Sequence, residues 1–119
     1  MLSSARVLLN RLGFVPAEAR KLFCVIVREA YHGPMHPKPP GVATPAEILE
    51  ACGLDVGEFY SLLEILKNEQ LIETRGDYPL EEIRLTSEGS VAEEIGECCR
   101  KINVPLENVL VGLDTSFLP

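Results

Sequence analysis

Of the side chains able to do chemistry, four cysteines (Cys24, Cys52, Cys98 and Cys99) and two histidines (His32 and His36) come first. Such residues can hold zinc or act as nucleophile and base, and both tasks demand particular spacings. No Cys-x-x-Cys pair occurs, and the close pair Cys98–Cys99 is adjacent in sequence, an awkward geometry for a disulfide or a shared tetrahedral metal. His32 and His36 are four apart, but Gly33 and Pro34 break the helix that would align them. Glu81–Glu82 and Glu93–Glu94 read as solvated faces, because adjacent residues do not converge on one point. The sequence holds no glycine-rich phosphate loop and no Ser or Cys nucleophile with a His base in a motif. These residues predict no enzyme, no cofactor and no metal. The thiols are expected to pack as small hydrophobes in a reducing cytoplasm.

The charges carry more information. Eighteen acidic and eleven basic residues give the 119-residue chain a formal net charge of -7, which as a whole repels phosphate backbones and anionic membranes. Residues 1–40 balance at +4 and residues 41–119 at -11, so the sequence is electrically two-ended. That is compatible with self-association, with an oriented partner, or with two solvated faces that happen to differ. With 46% apolar and 24% charged residues, the composition is that of a soluble globular chain, long enough for one domain. The longest uncharged apolar run near the start, Leu22–Val27, is too short for a secretory signal. The acid-free first seventeen residues faintly resemble an organelle transit peptide, and an amphipathic helix accounts for the same letters.

Apolar spacing and caps predict the elements that would carry these charges. Leu2, Leu8, Leu9 and Leu12 mark an amphipathic first helix within residues 1–14. A second starts near Pro16, buries Ala19, Leu22, Phe23, Ile26, Val27 and Ala30, and closes at His32, Gly33 and Pro34. Residues 33–45, with five prolines, read as an extended connector, with a polyproline ligand as the alternative. Thr44, Pro45 and Glu47 form a capping box opening a helix that Gly53 stops. Asp55 and Glu58 cap the next, with Val56, Phe59, Leu62, Leu63 and Leu66 as its buried stripe. Leu71–Thr74 and Glu82–Leu85 read as a hairpin. Thr86 is expected to cap a last helix with Val91, Ile95, Cys98, Cys99 and Ile102 on its apolar face, interrupted at Pro105.

The segments TPAEILEACGL, FYSLLEILKNEQLIET and IRLTSEG, in that order, resemble those of MarR-like and PadR-like bacterial transcription regulators over roughly residues 20–100. The fold this implies is mainly α with a small β-hairpin wing (α+β): a winged helix-turn-helix with extra N- and C-terminal helices. One domain would span 1–119, with the helix-turn-helix at 45–69, the wing at 71–86 and C-terminal helices at 87–119. The sequence departs from the family in its longer proline-rich connector, in Gln70 where a glycine often follows the recognition helix, and in an acidic reading face.

Helical geometry locates that face. With Phe59, Leu63 and Leu66 inward at about 100° per residue, Gly57, Ser61, Glu64 and Asn68 face outward, flanked by Tyr60 and Lys67. The resemblance places Gly57, Tyr60 and Ser61 against base edges in the major groove of double-stranded DNA, where Glu64 could accept from cytosine N4. Lys67, Arg75 and Arg84 would meet phosphates, joined by Lys38 and by the amide end of the helix after Thr44. A carboxylate ~6 Å from a phosphate costs roughly 0.7 kcal/mol at water's dielectric and about 3 at an effective value of 20, so Asp55, Glu58 and Glu64 oppose this. Two functions remain. One is a homodimeric DNA-binding regulator paired through the apolar stripes of its terminal helices, unless those stripes fold back on their own core. The other is a winged-helix interaction module whose acidic surface docks a basic protein partner.

Overall fold

The computed structural model describes residues 2–32, 40–76, 80–114 and 116. The longest apolar stripe in the sequence becomes the axis of the molecule. Helix α2 (Ala17–His32) buries Ala19, Leu22, Phe23, Ile26, Val27 and Ala30 as expected, together with Cys24. Around it are packed α3 (Pro45–Cys52), α4 (Val56–Asn68), α5 (Val91–Lys101) and α6 (Leu106–Leu110), while α1 (Leu2–Leu12) lies against α5. Strands β1 (Val42–Ala43), β2 (Ile72–Arg75) and β3 (Glu82–Leu85) form an antiparallel sheet in the order β1-β3-β2. One cluster of buried apolar side chains draws on every one of these elements, from Leu8 of α1 to Leu110 of α6.

The caps work as their letters predict. Thr44 Oγ1 accepts from Glu47 N at 3.3 Å while Thr44 N donates to Glu47 Oε1 at 3.3 Å, closing the capping box at the start of α3. Gly53 ends α3 in the left-handed region at φ 67°, and Asp55 caps α4 by accepting from Glu58 N at 3.1 Å. Val56 departs from its expected place in the buried stripe of α4. It sits in the first turn and is 50% exposed, and the core begins one turn later at Phe59. On α5 the buried face is Ala92, Ile95, Gly96 and Cys99, so Cys98 is only partly buried and Ile102, the residue after the last turn, is 50% exposed.

One further expectation is corrected. Thr86 does not cap α5 itself. Its hydroxyl accepts from Gly89 N at 3.1 Å and caps the turn leading to α5, which starts at Val91 behind Ser90. Of the two fates left open for the apolar stripes of the terminal helices, packing on their own core is the one seen: Ala5, Leu8, Leu9 and Leu12 of α1 and Val109 and Leu110 of α6 are buried in their own chain. Arg20 fastens the two ends together, donating from Nε to Val111 O at 2.9 Å and from Nη1 to Val15 O at 2.6 Å. The strand β1 has no counterpart in the sequence reading. Two residues are too short to show alternation, and they are held by the register Val42↔Arg84 and Ala43↔Ile83 and by Leu85 N donating to Gly41 O at 2.9 Å. His36 and most of the proline-rich connector lie outside the described residues.

The tightest crossing is at Gly89, where a Cβ would fall inside the van der Waals envelope of the Leu71 carbonyl oxygen. Gly53, by contrast, has open space around its Cβ position and only its positive φ to satisfy. Gly89→Ala is therefore expected to cost about 3 kcal/mol or to prevent folding, and Gly53→Ala about 1 kcal/mol, as measured by urea unfolding. Equal costs at the two positions would show that the crossing is not close-packed.

Candidate functional site

Four buried residues, Phe59, Leu62, Leu63 and Leu66, set the rotation of α4. That rotation leaves Gly57, Ser61, Glu64, Lys67 and Asn68 exposed and Tyr60 half-buried, the outward face that helical spacing predicted. Tyr60 stands edge-on to Phe59, with ring centroids 5.3 Å apart and planes at 70°, so the core residue also steadies the surface one.

The end of α4 is fixed as firmly. Gln70 takes the left-handed conformation at φ 60°, Gln70 N donates to Lys67 O at 3.0 Å, and Leu71 N donates to Leu66 O at 3.1 Å. These are the two bonds of a Schellman cap, with glutamine at the position glycine usually fills and Leu71 buried beyond it. The departure from glycine at Gln70 thus puts a Cβ into a left-handed turn. Arg11 of α1 reaches across to donate from Nη1 to Glu69 O at 3.0 Å, and its Nε lies 2.7 Å from Glu88 Oε2. Thr86 donates its hydroxyl to Gln70 O at 2.7 Å. Helix and hairpin are therefore tied at their common root.

Between them runs a cleft of about 300 Å³ lined by Tyr60, Leu63, Glu64, Lys67, Thr74, Gly76 and Leu80. The structure thus brings three of the expected site residues, Tyr60, Glu64 and Lys67, together with the hairpin. A second, more open hollow of about 560 Å³ lies at the end of α4 and also has Lys67 on its wall, with Gln70, Thr74 and Ser87. Thr44 is committed to its capping box, where Glu47 already occupies the amide end of α3 that the sequence offered to a phosphate. Lys38 lies outside the described residues.

The hairpin arginines stand where the sequence put them, exposed on one face, but they are not free. Arg84 Nη2 and Nε lie 2.8 and 3.2 Å from Glu82 Oε2, and Arg75 lies 3.3 Å from Glu81 and 3.7 Å from Glu82. The register Glu73↔Arg84 and Arg75↔Glu82 makes this face a checkerboard of opposite charges. Glu82 is therefore not the solvated acid that its neighbour Glu81 suggests. The signal that would have found it is the strand period of two, which puts Glu82 and Arg84 on the same face.

Reactive groups elsewhere serve packing. Burial, with Glu107 beside it, pushes the Cys24 thiol up to about 12, and burial also raises Cys99. His32 Nε2 lies 2.8 Å from Glu93 Oε1, in a cluster that Arg100 joins through Glu93 and Glu97 at 3.2 and 2.6 Å. Among the described residues no group of three His, Cys, Asp or Glu side chains could hold a metal ion.

No protein-family model matches the chain, and no curated protein matches it. Among solved structures, a crystal structure of a mutant of MarR from E. coli complexed with operator DNA is similar. Its TM-score is 0.51 at 21% sequence identity, over 98% of this chain and 77% of that one. The fold is a winged helix. In its terms α3 and α4 are the helix-turn-helix and the β2–β3 hairpin is the wing, so the cleft lies between the second helix of the pair and the wing. Because a left-handed glutamine carries a Cβ penalty that glycine lacks, Gln70→Gly is expected to stabilise the winged helix by about 0.5 kcal/mol in urea unfolding. A loss of stability would mean that the Gln70 side chain holds the turn.

Proposed function

We propose that the chain is a DNA-binding transcription regulator of winged-helix type. The observation that carries this reading is the outward face of α4, which stands clear of the core and beside the wing in a fold shared with a protein solved on operator DNA. In this reading α4 enters the major groove. Gly57 lets the backbone approach, Tyr60 and Ser61 meet base edges, and Glu64 accepts from a cytosine amino group. Lys67, Arg75 and Arg84 contact phosphates, with Lys38 as a further contact. A homodimer through the terminal helices would present two such helices to successive grooves. Exposed apolar residues lie on or just beyond these end helices: Val7 on α1 at 47%, Phe14 just after α1 at 83%, and Ile102 just after α5 at 50%. No described helix is long and apolar enough to cross a membrane, and a cytoplasmic location accompanies this function. A second reading, an interaction module that docks a basic protein, is favoured by one observation: both wing arginines are already paired with carboxylates.

Fluorescence anisotropy with duplex DNA separates the two. The regulator reading expects affinity to fall with salt at a log–log slope no steeper than about -3.6 per subunit, of which Lys67, Arg75 and Arg84 supply up to about -2.7 and Lys38 the rest. Lys67→Ala should flatten that slope by about 0.9, and Ser61→Ala should change preference among sequences while leaving the slope alone. Absence of binding at low salt, or a Lys67→Ala slope equal to that of the unmodified chain, would leave the docking reading. For the dimer, sedimentation should report a twofold mass that Phe14→Glu reduces to the monomer. A Phe14→Glu chain that stays dimeric would place the interface elsewhere.

A further inference from the structure

Glu82 occupies a position unlike that of the other wing acids. Its side chain is 18% exposed, against 61% for Glu81, and it lies between two guanidinium groups. Its Oε2 accepts from both Nη2 and Nε of Arg84, and its Oε1 lies 3.7 Å from Nη2 of Arg75, the cross-strand neighbour. Arg75 has a further carboxylate in Glu81 at 3.3 Å. Among the described residues the ion pair of Arg84 is with Glu82 alone, although Glu73 faces it across the ladder.

We propose that Glu82 is a charge lock on the wing, which sets how strongly the hairpin attracts the phosphodiester backbone of a nucleic acid. While the carboxylate holds Arg84, a phosphate must displace a partner tethered two residues away on the same strand face, where it is always within reach. The pair is nevertheless open to exchange, because Arg84 is half exposed and ion pairs at the surface are weak. Removing the Glu82 charge frees Arg84 fully and Arg75 only in part, since Glu81 remains. The lock rests on the hairpin geometry. Its consequence for DNA rests also on the regulator reading above.

The test uses the full chain and two polyanions: elution from immobilised heparin, and duplex DNA binding across 50–200 mM salt. Glu94→Gln, an exposed acid on α5, is the control with the same change in net charge. Glu82→Gln is expected to elute from heparin at higher salt than Glu94→Gln. It should also steepen the DNA slope by about 0.9 per subunit, so that its advantage over the unmodified chain grows about 3.5-fold from 200 to 50 mM salt. Adding Arg84→Gln should abolish the gain, and adding Arg75→Gln should leave most of it. A Glu82→Gln chain indistinguishable from Glu94→Gln, or a gain that survives Arg84→Gln, overturns the lock. A gain on heparin with no duplex binding in any chain upholds the lock and overturns the regulator reading. Should Glu82→Gln fail to fold by circular dichroism, the lock still requires Arg84→Gln alone to lower heparin retention less than Lys67→Gln does. An equal or larger loss at Arg84 overturns it.

Discussion

The crossing of the chain at Leu71 and Gly89 is the constraint on which the rest of the structure depends. There α4 reverses into β2 through a left-handed glutamine, Thr86 N donates to the Leu71 carbonyl at 3.2 Å, and Gly89 lies against the same carbonyl with no room for a side chain. Arg11 closes the junction from the α1 side by holding Glu69 O and Glu88. Leu71 is itself in the core, so this polar knot is backed by apolar packing. The rotation of α4 and the pitch of the hairpin are therefore not independent. Whatever the outward face of α4 meets, the wing meets in a fixed relation to it, and α1 is mechanically linked to both.

The reliance on apolar packing also explains why the surface charge pattern is free to vary. No polar or charged residue is buried among the described residues, so folding places almost no demand on the acids and bases outside the caps and the Arg11 and Arg20 ties. Exposed ion pairs contribute only about 0.2–1 kcal/mol each. The checkerboard on the wing therefore adds little to stability, and its arrangement bears instead on what the hairpin can attract. An uncommitted pair of wing arginines would draw phosphate readily. This wing has to exchange one partner for another.

Much of the helical structure was legible because its signals are local. The Thr44 and Asp55 caps, Gly53 and the stripes of α2 and α4 each need only a few neighbouring residues, and each was found where the letters put it, apart from Val56 at the start of α4. The outward face of α4 followed from the same periodicity. What escaped the sequence depends on contacts between distant segments. Strand β1 exists because Gly41–Ala43 finds β3 some forty residues away, and Thr86 serves the turn because Gln70 stands opposite its hydroxyl. The apolar stripes of α1 and α6 could not announce from sequence whether they faced a second copy or their own core. Closure by Arg20 onto Val111 and Val15 joins helices separated by most of the chain.

Charge shows the same limit most clearly. A balance of +4 over the first forty residues suggested an open basic end. In the fold Arg11 and Arg20 are taken up by backbone carbonyls, Lys21 lies 3.8 Å from Glu18, and Arg28 lies 3.5 Å from Glu29 and 3.9 Å from Glu107. Of these ties, only Arg11–Glu88 and Arg28–Glu107 draw on acids from outside the first forty residues, so the N-terminal end keeps an excess of positive charge whose guanidinium groups are tied into the fold. Beside the outward face of α4, the attraction for a polyanion comes from that helix and the hairpin, where Lys67 enters no ion pair among the described residues and Arg84 is held by a single carboxylate. The sign of the working surface therefore turns on a very small number of side chains. The formal charge of the whole chain, which first argues against nucleic acid, is for that reason a poor guide to what this face can hold.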